Sequence, residues 1–263
     1  MIKLDYGTLL SPSPIKLSIG SLKKPTLRDI SDITFDLFNY FELLMTITPE
    51  SFYIKLIGEE GKKYWNSVSD EEKYNMEIFD VIKKEAKLAE AFAEMLNFFF
   101  METVSYKDGF FIILRDGVTT ADEIKGKSDI HGIITEDTFP DVLSIIKQIC
   151  CIDIGEQQDG IKFKNSIAKK IYEKMQKAAK NNSSKDKNQD FILANVISSV
   201  ANKHPSINPV NVWNMTVFQL MDSFNRLQNN SIYDMQAMRV SVWGDEKRTF
   251  DAELWHKNMF TKK

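Results

Sequence analysis

The chain has 263 residues, 43% of them hydrophobic, 27% charged and 11% aromatic, which excludes a disordered tail and leaves room for one large core or two small ones without staples. Its 34 Lys and Arg against 37 Asp and Glu give a net charge of -3 and exclude a generally basic nucleic-acid binder. The two cysteines, Cys150 and Cys151, are neighbours, the start shows no secretory signal and no apolar run reaches the ~20 residues of a membrane span, so a reduced, soluble, cytoplasmic protein is expected.

In chain order, Ile15, Leu17 and Ile19 alternate with Lys16 and Ser18, the period of one half-buried strand. Pro25 opens a helical segment in which Leu27, Ile30, Leu37, Phe38, Phe41 and Leu44 recur at helical spacing, with a break near Thr34. Thr48-Pro49-Glu50 supplies an N-cap, a first-turn proline and a first-turn acid for a short helix through Leu56 that Gly58 ends. The run Gly58-Glu59-Glu60-Gly61-Lys62-Lys63 has the wrong spacing and the wrong charge for a phosphate loop and reads as a turn. Ser69 and Glu72 fit a capping box, and the apolar positions from Met76 to Phe100 predict one long core helix.

The pattern then changes. Thr103 to Tyr106, the pair Asp108-Gly109 and Phe110 to Leu114 predict a hairpin with a type I′ turn, and Ile130 to Ile134 can add a third strand beyond a loop at 116–129. Thr135 or Thr138 can cap a helix whose stripe Phe139, Val142, Ile145 and Ile149 carries Cys150 into the core. A basic helix follows near 163–180, with Lys169, Lys170, Lys174 and Lys177 on its charged face and Ile167, Ile171 and Met175 on the other. Residues 181–189 are polar throughout and read as a linker.

The expected organisation is therefore a mainly helical domain over 1–180 with a β-hairpin near 103–134, the linker, and a helical C-terminal unit over 190–263. That unit reads as a helix at 191–202, a proline-bounded connection at 205–209, a second helix at 216–228, an extended piece at 239–243 and a last turn near Leu254 and Trp255. The fold class is mainly α with a small antiparallel β insertion, an α+β arrangement.

Little here suggests chemistry. His131, His204 and His256 are isolated from one another and from any metal-helix spacing, and read as a strand-edge, a loop-capping and a solvent-facing side chain. Neither a dinucleotide nor a phosphate-binding glycine motif is present, and no serine or cysteine has a nucleophile's surroundings. No catalytic, cofactor-binding or metal-binding residue is expected, and the chain reads as a non-enzyme. One charge feature stands out: residues 162–187 hold nine lysines against Glu173 and Asp186. An amphipathic helix with a solvated lysine face explains it. An acidic protein partner or nucleic acid is the functional alternative.

The end segments carry a resemblance. Asn211-Val212-Trp213-Asn214-Met215-Thr216-Val217-Phe218 through Gln228, with Ser241-Val242-Trp243-Gly244 and Trp255-His256-Lys257, and at the other end Leu9-Leu10-Ser11-Pro12-Ser13-Pro14 through Pro25-Thr26 and Thr34 to Glu50, resemble tail assembly chaperone type proteins of tailed phages and prophages of low-GC Gram-positive bacteria. The resemblance implies a non-enzymatic chaperone that acts in the host cytoplasm during phage assembly. Such a protein binds the tape-measure protein, keeps it soluble and is absent from the finished virion, and the tail-tube protein is a second candidate partner. Trp213, Phe218, Phe224, Trp243 and Trp255 are then the residues expected at a partner surface, and a homo-oligomer is compatible with the role. A structural or adaptor protein of the particle, and a nucleic-acid-binding regulator acting through residues 162–187, are the alternatives.

Overall fold

A computed structural model describes residues 2–115, 117–152, 192–245 and 249–257, and the chain divides into two units, Met1–Ile152 and Asp153–Lys263. The expected basic helix, with Lys169, Lys170, Lys174 and Lys177, and the expected linker at 181–189 lie outside the described residues. The architecture is mainly α with two small antiparallel sheets.

The first unit opens with α1 (Tyr6–Leu10), which Asp5 caps by accepting from Thr8 N. Its last carbonyls are held by a buried lysine: Lys24 Nζ donates to Thr8 O and, at 2.7 Å, to Ser11 O. Burial pushes the Lys24 ammonium below its ordinary pKa, and Asp5 pulls it back up. Where one strand was expected the chain makes a hairpin, β1 (Ile15–Leu17) and β2 (Gly20–Leu22), paired Ile15↔Leu22 and Leu17↔Gly20. Ser18 and Ile19 form the turn, and Gly20 lets the backbone approach Phe100, whose ring would lie 3.2 Å from an added Cβ.

Helices α2 (Leu27–Ile33) and α3 (Phe35–Thr46) meet at Thr34, where the break was expected. Thr34 has φ 79° and ψ 147°, a backbone state that a β-branched residue adopts only under strain. It is exposed, and its hydroxyl accepts from Leu37 N at a long 3.4 Å. Glycine relieves the strain, roughly 1–3 kcal/mol, at the loss of a weak cap and some unfolded-state entropy, a few tenths to ~1 kcal/mol. Thr34→Gly is expected to raise stability by about 1 kcal/mol, seen as a higher urea midpoint with unchanged slope.

The short helix expected from Thr48 is α4 (Pro49–Ser51), which widens at once into a π-helical turn over Phe52–Ile57. The turn expected at 58–63 is instead the start of α5 (Glu59–Ser67). Gly58, at φ 82°, reverses the chain, and Glu59 and Glu60 then sit in a first turn where the helix dipole favours them. The capping box at Ser69 starts α6 (Asp70–Asn75) as read from sequence, with Glu72 N donating to Ser69 Oγ and Ser69 N to Glu72 Oε2, both at 3.2 Å.

The single helix expected from Met76 to Phe100 is two, α7 (Ile78–Lys84) and α8 (Ala86–Phe99), separated by extended Glu85. The polar run Lys83-Lys84-Glu85 puts Ile82 and Leu88 out of phase on one continuous helix. A break resets the phase, so that both flanks bury their apolar faces. Asn97, in the last turn of α8, then pins the next strand: Val104 N donates to its Oδ1 at 2.7 Å and its Nδ2 donates to Val104 O at 2.6 Å.

Strands β3 (Val104–Lys107), β4 (Phe110–Leu114) and β5 (Ile130–Ile134) form a sheet in that order. Asp108 and Gly109, both at positive φ, make the expected I′ turn. Helix α9 (Phe139–Ile149) follows Thr138, whose hydroxyl accepts from Thr135 N at 2.8 Å rather than capping its own helix. Its Gln148 side chain accepts from Leu4 N and donates to Ile2 O, fastening the N-terminal strap. At the centre, Phe139 meets Phe79, Phe92 and Phe111 at ring distances of 5.1, 5.5 and 6.0 Å.

The second unit has two described helices, α10 (Leu193–Lys203) and α11 (Val217–Trp243), which pack together. Between them His204 Nδ1 accepts from Ser206 N and Ile207 N, both at 3.1 Å, the loop-capping role expected of it. The extended piece expected at 239–243 is helical. Met235, Met238 and Val242 keep the 3–4 spacing across it, and the helix runs on to Gly244 at φ 73°.

Candidate protein-interaction surface

The residues expected at a partner surface all fall in the second unit, and their placements differ. Thr216 starts α11 through a capping box, donating its N–H to Gln219 Oε1 at 3.0 Å while its hydroxyl accepts from Gln219 N at 3.2 Å. That fixes the first turn, in which Val217, Phe218 and Leu220 are buried. Phe218 is thus a core residue in this conformation. Phe224, one turn and a half further on, is half-buried. Trp213, on a short 3-10 turn (Val212–Asn214), is half-buried and locked by its indole N–H, which donates to Pro209 O at 2.9 Å.

The other two tryptophans are open. Trp243, the last residue of α11, is 77% exposed, and Trp255 is 55% exposed with its ring 4.7 Å from that of His256. A tryptophan left this far in water loses apolar burial that a partner restores. Both belong to a part of the chain that is itself well fastened. Asp245, just past the helix, accepts from Thr249 N at 3.0 Å and Phe250 N at 2.9 Å. Those backbone hydrogen bonds, with help from Arg239, hold its carboxyl below the usual range. Arg239 Nη2 donates to Thr249 Oγ1 at 3.1 Å, and Phe250 lies against Tyr233 at a ring distance of 5.4 Å. The tail therefore covers the Tyr233 side of α11.

In the first unit a groove of about 590 Å³ is lined by Tyr64, Glu71, Glu72, Met76, Asp80 and Lys84, among others. Two of its carboxylates are already used: Glu72 accepts from Ser69 N, and Asp80 accepts from Glu77 N at 2.9 Å. Cys150 is buried, and burial pushes its thiol well above its ordinary pKa, the opposite of what a nucleophile needs. Cys151 is half-buried at φ 53°. His131 is exposed on β5, an outer strand of its sheet, and His256 is exposed. Among the described residues no group of three His, Cys, Asp or Glu side chains could hold a metal ion, and no helix is long and apolar enough to cross a membrane.

The sequence reading missed the apolar side chains on the second half of α11. Ile232, Met235, Met238 and Val242 are all exposed, and their 3–4 spacing was the available signal. It was hidden because Arg239 to Trp243, taken alone, alternates like a strand. No curated protein and no solved structure matches the chain. Residues 180–260 match the family model of the YomV second domain, so the segment that carries α10, α11 and both exposed tryptophans is similar to a domain of a phage-associated Bacillus prophage family.

Proposed function

We propose that the protein is a non-enzymatic phage tail assembly chaperone that binds the tape-measure protein and keeps it soluble in the host cytoplasm until the tail tube forms. The observation that carries this reading is the pair of open tryptophans, Trp243 and Trp255, within the segment similar to a phage-associated domain. Tryptophan is enriched where binding energy concentrates, and a long amphipathic helix offers the apolar face such side chains seat on.

The test is co-expression with the tape-measure protein of the same phage. The tape-measure protein is expected to stay soluble and to co-purify with the wild-type chain. With Trp243→Ala/Trp255→Ala, recovery is expected to fall about tenfold or more, since two anchors at 1–2 kcal/mol each are lost. Mass spectrometry of finished particles is expected to lack the chain. A tape-measure protein that precipitates unbound removes the chaperone reading. Stoichiometric chain in the virion turns it into that of a structural or adaptor protein.

A further inference from the structure

The face of α11 that buries Val217 and Leu220 does not end where its burial does. Val217, Leu220, Phe224, Leu227 and Ser231 recur at spacings of three and four, and Lys203, the last residue of α10, reaches Ser231 with Nζ 2.8 Å from its Oγ. Beyond that point the same face continues as Met235, Met238 and Val242, which are 65%, 70% and 63% exposed. The opposite side of this half of the helix is covered by Phe250, which lies on Tyr233, and at the flank Arg239 is bonded to Thr249. Among the described residues this half of the helix is apolar on both sides and covered on only one, which leaves a face to fill.

We infer that this face takes a second copy of the chain, in a parallel two-stranded seam with Met235 and Val242 at a positions and Met238 at d. The charge pattern selects the occupant and its direction. On that heptad Asp234 falls at g and Arg239 at the following e, five residues on, the pair that meets across a parallel coiled coil. By the two-fold symmetry each copy's Asp234 faces the other's Arg239, so two opposite-charge pairs form. An antiparallel pairing sets g against g and e against e, bringing like charges together. Both residues are exposed. The bond from Arg239 to Thr249 uses one of the five guanidinium N–H donors and holds the group at the seam's edge. No charged side chain stands at an a or d position from Ser231 to Val242. Trp243 falls at b, off the seam, and stays free for the partner surface described above.

The seam spans less than two full heptads, short of the ~1,200 Å² that a stable interface buries, so the dimer is a weak, reversible one whose population rises with protein concentration. Sedimentation velocity of the purified full chain alone, with no phage partner present, tests it apart from the chaperone reading. The wild type is expected to shift from monomer to dimer as concentration rises. Met235→Lys/Met238→Lys is expected to remain monomeric with unchanged far-UV circular dichroism, because both positions are exposed in the single chain. Asp234→Arg is expected to weaken the dimer about tenfold by setting like charges opposite each other twice, and Asp234→Arg/Arg239→Glu to restore it. A wild-type monomer at every soluble concentration overturns the inference. So does a dimer that survives the methionine substitutions, or a charge swap that fails to restore it.

Discussion

Phe139→Ala is expected to lower the stability of the first unit by about 3–5 kcal/mol, the range for deleting a buried phenylalanine ring. Phe139 is 1% exposed, and its ring contacts come from three other elements: Phe79 on α7, Phe92 on α8 and Phe111 on β4. It sits edge-on to Phe92 and stacks at 17° on Phe111, geometries that add roughly 0.5–1.5 kcal/mol per pair beyond area burial. Because the four rings join a sheet to three helices, no single element can move inward to close the cavity. Urea unfolding followed by circular dichroism reads the change as a lower midpoint. Phe139→Leu, which keeps most of the volume, is expected to cost about half as much or less. An alanine variant within 1 kcal/mol of wild type would place the centre of the core elsewhere.

How far the sequence reveals this depends on how local the determining interaction is. The capping box at Ser69, the I′ turn at Asp108-Gly109 and the loop cap at His204 are each decided within four residues, and all three stand as read. The stripe of α9 and the burial of Cys150 follow from a period that sequence displays directly. What sequence did not display are features set by distant partners. The break at Glu85 depends on which faces the core demands of α7 and α8. The amide of Asn97 is a strand clamp only once Val104 lies beside it, and that of Gln148 holds a segment more than 140 residues away. An asparagine inside the otherwise apolar run Met95 to Phe100 was the one hint. At the candidate site, the resemblance singled out aromatic residues without telling core from surface. Phe218 went inward because the capping box at Thr216 fixes its turn, whereas Trp243 stayed outward because Gly244 ends the helix beyond it.

Gly61→Ala separates a local rule from a tertiary one by the sign of its effect. Gly61 is the third residue of α5, where helix propensity alone favours alanine by up to about 1 kcal/mol. A Cβ at Gly61, however, would stand 2.1 Å from Tyr53 O and 2.6 Å from Ile57 Cβ, both in the π-helical turn Phe52–Ile57. The first of these is backbone and cannot rotate aside, so α5 must move off the turn. Overpacking of this kind costs about 3 kcal/mol, which outweighs the propensity gain and leaves a net loss of roughly 2 kcal/mol. The displaced contact is also visible by itself. Tyr53 stacks on Trp65 at 6.0 Å and 22° and lies 4.7 Å from the ring of Tyr64, and burial has pushed the Tyr53 hydroxyl up to about 12. Opening this cluster is expected to diminish the near-UV circular dichroism signal and to return the Tyr53 hydroxyl toward its ordinary pKa in a spectrophotometric titration. If Gly61→Ala is instead more stable than wild type with its aromatic signal intact, the close approach of α5 to the π-helical turn is wrong, and propensity alone decides the position.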